Sequence, residues 1–280
     1  MPEVSDQPEV SYQPEVRLLT ALRARLVELD RVVVAFSGGA DSAFLAWVAT
    51  DTLGPERALC VTAISPSLAP EEEVECKALA DEWRLRWTPV FTDELANPAY
   101  EANDGDRCFH CKTALLDVTE PLAESERATV VLGVNLDDLG DHRPGQRAAA
   151  ERGSAFPLVD AGFTKADVRS WSRELGLRTW DKPAAACLSS RVPYGTPVTL
   201  TVLSNVGRAE SALRRLGFRQ LRVRHYGDTA RIELEGADLL RAVEQRDAVV
   251  AAVRSAGYRY VTLDLEGFRS GNLNGALIHE

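Results

Sequence analysis

Apolar residues recur with a helical period from Arg17 to Leu29, where Leu18, Leu19, Leu22, Leu26 and Leu29 share one face. The pattern then changes. Arg31–Phe36 (RVVVAF) is a continuous apolar run of the kind a strand buried on both faces requires. A glycine-bearing loop, Ser37–Ser42 (SGGADS), follows, and a helix is predicted from about Ala43. Further along, strands are predicted at 58–64, 86–91 and 129–134. Helices are predicted at 71–84, from about Lys112, and at 165–175, with a long loop before the last. Strands alternating with helices predict an α/β fold, a doubly wound parallel sheet with helices on both faces.

The segment Asp181–Pro197 contains three prolines and a glycine and reads as an active-site loop and domain junction. After it come a predicted helix at 203–216 and strands at 220–225 and 230–234 around a Tyr226–Gly227–Asp228 turn. A helix at 237–255 and a strand at 258–263 complete a smaller C-terminal α+β domain. The expected organisation is a disordered tail over 1–16, a nucleotide-binding domain over 17–185 and a substrate and oligomerisation domain over 186–280. The tail carries the repeat PEVSDQ, PEVSYQ, PEV, which offers little to bury.

Composition narrows the class. Of 280 residues, 45% are hydrophobic and 26% charged, which fits a soluble enzyme. The apolar runs are too short to span a bilayer, and the acidic N-terminus has no apolar signal core, so a cytoplasmic protein is expected. A net charge of −10 argues against broad nucleic-acid binding. Charge is uneven, however: eleven arginines and seven acidic residues lie between Arg208 and Arg259, enough to hold an anionic ligand locally. Arginine outnumbers lysine 28 to 4, which draws attention to Lys112 and Lys182. Five cysteines without an export signal do not read as a disulfide framework, and Cys60 and Cys76 fall in apolar patterns as buried thiols.

The Ser37–Ser42 loop carries the first chemistry. Gly38 and Gly39 allow a tight turn whose N–H groups converge, the following helix adds its positive end, and Ser37 and Ser42 offer hydroxyls. No Gly-Lys-Ser/Thr ending is present; Asp41 stands there instead, and an acid beside phosphates makes sense if it holds Mg²⁺. The string resembles the S-G-G-x-D-S signature of PP-loop ATP pyrophosphatases. That resemblance implies that ATP is cleaved between its α- and β-phosphates, with pyrophosphate gripped by the loop and AMP transferred to a carboxylate or amide oxygen.

The second constellation is Cys108-Phe109-His110-Cys111-Lys112 with Cys187 in the proline-bearing loop. Three thiolates can hold three irons of a [4Fe–4S] cluster and leave the fourth open to carry sulfide. Redox or persulfide cysteines, a zinc site and unconnected thiols are the alternatives. Lys112 reads either as a cation for ATP phosphates or the acyl-adenylate, or as a solvated lysine at a helix start.

Nearly everything after Arg17 is similar to the LarE family of ATP-dependent sulfur transferases. The resemblance rests on Ser37–Ser42, on Gly133–Asp138 (GVNLDD) followed by Arg143-Pro144-Gly145, and on Cys187–Arg191 (CLSSR) with Pro193–Thr196 (PYGT). It rests further on Arg222-Val223-Arg224 with Arg231-Ile232-Glu233, and on Tyr260–Leu265 with Gly267–Gly271. It implies a nucleotide substrate, pyridinium-3,5-biscarboxylic acid mononucleotide, whose carboxylates are adenylated and converted to thiocarboxylates in nickel-pincer nucleotide biosynthesis. One branch of the family sacrifices the sulfur of a single loop cysteine, and another holds an iron–sulfur cluster on three. Cys108, Cys111 and Cys187 match the second pattern. Arg222 and Arg224 share a strand face and suit the substrate's phosphate as a clamp. The resemblance places Glu210 and Glu233 near this site, as metal or substrate contacts. Arg191 and Ser189 order the cysteine loop, and Arg191 joins the substrate-binding set. Asp137, after a parallel strand, is the expected substrate or Mg²⁺ contact. A homo-oligomer is implied, and the sulfide donor is left open. A tRNA thiolase, an ammonia-dependent amide synthetase and a nonenzymatic ATP-binding regulator are the competing functions. The thiolase fits a chain at −10 poorly, and the synthetase would not need the three cysteines.

Overall fold

The computed structural model describes residues 13–140, 144–183 and 186–269. Most of the N-terminal repeat, Arg143, Ala184, Ala185 and the segment from Ser270 onward lie outside the described residues. The larger lobe runs α1 (Gln13–Leu29), β1 (Val32–Ala35), α2 (Ala40–Leu53), β2 (Ala58–Ile64), α3 (Pro70–Trp83), β3 (Arg86–Phe91), α4 (Pro98–Glu101), α5 (Arg107–Glu126), β4 (Thr129–Leu132), α6 (Pro144–Glu151), α7 (Pro157–Asp160) and α8 (Lys165–Glu174). Helix α1 starts four residues before the position read from the leucine pattern.

The four strands form one parallel sheet in the order β3-β2-β1-β4. Central β1 pairs Val33 with Leu59 on one side and Val130 on the other. Its valine run has a simple cause, because both faces are covered. Val32 and Val34 pack with Leu22, Leu26, Phe44 and Phe163. Val33 packs with Leu116, Leu132 and Ala149 on the opposite side. The chain moves from β1 to β2 and β3 in one direction, whereas β4 lies on the other flank, so the order reverses between β1 and β4. Ligands bind at such a switch point, outside the carboxyl ends of the strands.

The smaller lobe comprises α9 (Leu200–Arg215), β5 (Leu221–Tyr226), β6 (Thr229–Leu234), α10 (Leu239–Glu244), α11 (Arg246–Ser255) and β7 (Tyr260–Leu263). Its sheet order is β5-β6-β7, antiparallel between β5 and β6 and parallel between β6 and β7. Tyr226 pairs with Thr229, which tightens the expected turn to Gly227 and Asp228, with Gly227 at φ 58°. The single helix expected over 237–255 is instead a 3₁₀ turn at Gly236–Asp238, then α10 and α11. Leu213, Phe218, Leu221, Val223, Ile232 and Val253 form this lobe's core.

Two differences bear on the site. Helix α5 begins at Arg107 rather than near Lys112, so Cys108 and Cys111 lie within its first five residues, three apart and on one face. The long loop after β4 contains α6 and α7. No helix among the described residues is long and apolar enough to cross a membrane.

Candidate active site

The phosphate cradle forms where β1 feeds α2. Helix α2 already begins at Ala40, so Ala40, Asp41 and Ser42 contribute the unpaired N–H groups of a first helical turn. Gly38 sits at φ 68°, and a Cβ there would stand 2.9 Å from Cys76 Sγ. The Ser42 hydroxyl donates to the Gly39 carbonyl (3.2 Å) and accepts from the Ser37 N–H (3.2 Å), and the two serine oxygens are 3.0 Å apart. Ser42 is buried, so its hydroxyl braces the loop, while Ser37 remains exposed. Gly133, which follows β4, lets that strand's end pass close by: a Cβ there would be 2.8 Å from the Ser42 backbone N.

Beside the cradle, Asn135 donates to Asp41 Oδ1 (3.0 Å). Burial raises the Asp41 carboxyl above its ordinary value; Asn135 and Lys165 act against this and Asp138 adds to it. The structure therefore turns Asp138, not Asp137, toward Asp41. Asp138 is buried, whereas Asp137 is exposed and accepts the Lys165 N–H at 2.7 Å, pinning the start of α8. Asp137, the expected substrate or Mg²⁺ contact, thus lies on the outer side of the turn, and Asp138 is the acid beside Asp41. The inward turn follows from the 3₁₀ geometry of Leu136–Gly140, in which the Asp137 N–H is itself taken by Asn135 Oδ1 (3.0 Å).

The start of α5, which carries Cys108 and Cys111, packs against the loop that carries Cys187. There Cys111 packs with Tyr100, Leu188 and Val192. Burial, helped by Cys187 and Glu94, pushes the Cys111 thiol up to about 12. Burial and Cys187 also raise Cys108, although that residue keeps exposed surface. Arg107 is buried beside them. Burial works against its charge, but Cys187 and Cys108 outweigh it and its pKa rises. Lys112 is half-buried and its pKa is lowered by burial, with Cys111 and Cys108 opposing. Among the described residues, no three His, Cys, Asp or Glu side chains are grouped so that they could hold a metal ion.

The cysteine loop is held from three sides. Leu188 N–H donates to the Ser67 carbonyl (2.8 Å), Tyr100 and Ser189 hydroxyls bond one another, and Arg107 donates to the Ser189 carbonyl (2.9 Å). Asn103, at φ 59°, donates to the Pro193 and Thr196 carbonyls, both at 2.8 Å. Glu94, which the sequence did not single out, is buried and accepts from Ser65 (2.6 Å), Ser67 and Thr92 (3.0 Å), fixing the strand ends under this loop.

The glutamates of the expected site are paired with arginine. Arg191 forms a bidentate pair with Glu210 (2.8 and 3.0 Å) and donates to the Ala186 and Cys187 carbonyls (2.6 and 3.0 Å). It orders the loop, but its donors are engaged rather than presented to a substrate. Glu210 also accepts the Val223 N–H and Arg214. Glu233 pairs with Arg224 (2.8 Å) and Arg231 (3.1 Å). Both glutamates are fully buried against arginine. Arg224 also donates to the Ser190 carbonyl (2.8 Å) and keeps a buried Nε–H with no partner. Arg222, on the same strand face, stacks over Phe268, and burial, with Arg191 beside it, lowers its pKa to about 10.

The Arg191–Glu210 pair sets a prediction. Burial raises the Glu210 carboxyl, but Arg191 and the Val223 N–H outweigh this and hold it below the ordinary range. Its contribution is therefore present above the ordinary carboxylate pKa and is lost as pH falls through the lower folded value. Glu210→Gln keeps the shape, leaves Arg191 buried without a counter-charge, and is expected to cost about 3–5 kcal/mol. Urea unfolding at several pH values will show this loss, together with a flatter acid limb in the variant.

A glycine loop at the switch point of a four-stranded parallel sheet, with a smaller mixed sheet behind the cysteine loop, defines the PP-loop α/β fold. No protein-family model matches the chain. It is 39% identical over 257 residues to the pyridinium-3,5-bisthiocarboxylic acid mononucleotide synthase of Lactiplantibacillus plantarum, an alignment covering 91% of this chain and 93% of that protein. The chain belongs to the LarE family of which that synthase is a member. It is also 47% identical over 262 residues to an uncharacterized protein of Synechocystis, covering 92% of this chain and 97% of the relative. An uncharacterized protein of Methanocaldococcus jannaschii is 26% identical over 241 residues, covering 86% and 91%.

Proposed function

We propose that this chain is an ATP-dependent sulfur transferase that converts the carboxylates of pyridinium-3,5-biscarboxylic acid mononucleotide to thiocarboxylates. The observation that carries the reading is that the phosphate cradle and the start of α5, which carries Cys108, Cys111 and Lys112, lie on the same carboxyl edge of the sheet, one short helix apart. Gln146 of α6 donates to the Asp138 carbonyl (3.4 Å) beside the cradle. In the same turn, a Cβ on Gly145 would meet the Cys108 carbonyl at 3.1 Å and Lys112 Cβ at 3.5 Å.

In the first step a substrate carboxylate oxygen attacks the α-phosphorus, the bond to the β-phosphate breaks, and pyrophosphate leaves. The loop N–H groups receive its developing charge. Asp41 and Asp138 suit Mg²⁺, because two neighbouring carboxylates, one destabilised by burial, gain from a divalent cation. Lys112, whose ammonium meets no hydrogen bond or ion pair among the described residues, is the cation for the acyl-adenylate. Arg222, with Arg224 beside it on the strand, is the donor for the substrate's own phosphate. In the second step sulfide attacks the acyl carbon, and the oxygen bonded to phosphorus departs with AMP.

Cys108, Cys111 and Cys187 would hold a [4Fe–4S] cluster, which supplies an open iron to carry sulfide. Cys187 raises the pKa of both Cys108 and Cys111, so the three thiols are near enough to feel one another, as ligands of one cluster must be. Arg107 is placed to offset the negative charge of such a group. Anaerobic reaction of the reconstituted protein with Mg-ATP, the mononucleotide and sulfide is expected to yield one AMP and one pyrophosphate per sulfur installed. Product mass and pyrophosphate release check this; ATP consumption without thiocarboxylate would reject it.

A further inference from the structure

We propose that Lys182 binds the β- and γ-phosphates of the nucleotide and is held in waiting by Glu72; the inference rests on the adenylating function proposed above. The Lys182 ammonium lies 3.8 Å from where a Cβ on Gly38 would sit, against the glycine turn of the cradle. It donates to Glu72 Oε2 at 2.7 Å, in the first turn of α3, and the two side chains are 18% and 26% exposed. The base of the side chain is fixed: Lys182 N–H donates to the Thr179 carbonyl (3.1 Å), and Arg169 donates to the Lys182 carbonyl (3.3 Å). The tip is a compact charge on a flexible stem, anchored within reach of both the glutamate and the loop.

Gly38 leaves the loop no slack on this side, because Cys76 Sγ and Leu79 already close on it. The ligand must therefore be met by the lysine moving, not by the loop. A polyphosphate end carries more negative charge than one carboxylate and draws the ammonium from Glu72. AMP has no β- or γ-phosphate and does not. Lys182 thereby has a different task from Lys165, which faces Asp41.

The test is calorimetric binding of Mg-ATP, inorganic pyrophosphate and AMP to the full chain and its variants. Lys182→Met is expected to weaken pyrophosphate and ATP by about tenfold to a hundredfold, the worth of a charge-assisted hydrogen bond, with AMP affinity unchanged. Lys182→Arg should recover most of the loss. Glu72→Gln removes the competitor and should tighten pyrophosphate binding, and Glu72→Gln with Lys182→Met should lose that gain. Unchanged pyrophosphate affinity in Lys182→Met overturns the proposal, as does an equal loss for AMP, which marks a structural role. Should Lys182→Met fail to fold, absence of tightening in Glu72→Gln overturns it alone. A wild-type chain that binds neither ATP nor pyrophosphate removes the adenylating function as well.

Discussion

Asp41→Asn will lower pyrophosphate release on the order of 10²–10³-fold, the usual effect of deleting one preorganised electrostatic group. The substitution is nearly isosteric, and an amide oxygen still accepts from Asn135, so the loop and α2 keep their shape. What disappears is the charge that, with Asp138, is proposed to hold Mg²⁺ beside the leaving pyrophosphate. Thermal unfolding should be little changed, because a carboxyl raised by burial contributes no stability by being charged. A continuous pyrophosphate assay with substrate and Mg-ATP measures the effect. Release at the wild-type rate would remove Asp41 from the reaction.

Cys187→Ser will separate the two halves of the chemistry. Sulfur incorporation falls to background, whereas the acyl-adenylate still forms and is trapped by hydroxylamine. The serine keeps the loop bonds, which run through backbone atoms of Cys187 and not its sulfur: its carbonyl accepts from Arg191 and Ser190. Cys108→Ser and Cys111→Ser should behave alike, and each should abolish the brown colour and the iron content of the anaerobically reconstituted chain, about four irons in the wild type. Mass spectrometry of wild-type protein after turnover should find Cys187 with its sulfur in place. Conversion of Cys187 to dehydroalanine would replace the cluster by a sacrificial cysteine, and a colourless wild type that still transfers sulfur would remove the cluster.

The sheet was legible because buried parallel strands need unbroken apolar runs, and Arg31–Phe36 is one. The cradle was legible because Gly38 at positive φ admits few other residues. Cys108, Cys111 and Cys187 were picked out by pattern, and the packing of Cys111 on Leu188 and Val192 brings their two segments against one another. Other features depend on tertiary contacts that no local pattern carries. Asp137 and Asp138 are chemically alike, and only the 3₁₀ turn decides which faces Asp41. Glu233 alternates correctly with Ile232 and Leu234, which suggests an exposed face; the cysteine loop covers that face, with Ser190 bonded to Arg224, and so buries an arginine–glutamate network. Glu94 reads as an ordinary loop acid until β2 and β3 bring Ser65, Ser67 and Thr92 around it. Of the scarce lysines, Lys182 lies against the glycine turn, Lys165 faces Asp41, and Lys112 lies beside Cys108 and Cys111.

The reaction run with oxygen-18 in the substrate carboxylates tests the central claim most directly. If the cradle transfers AMP to a carboxylate oxygen before sulfur enters, each sulfur installed must send one labelled oxygen into AMP and none into pyrophosphate. Unlabelled AMP, or label in pyrophosphate, would mean that the carboxylate is not activated by adenylation.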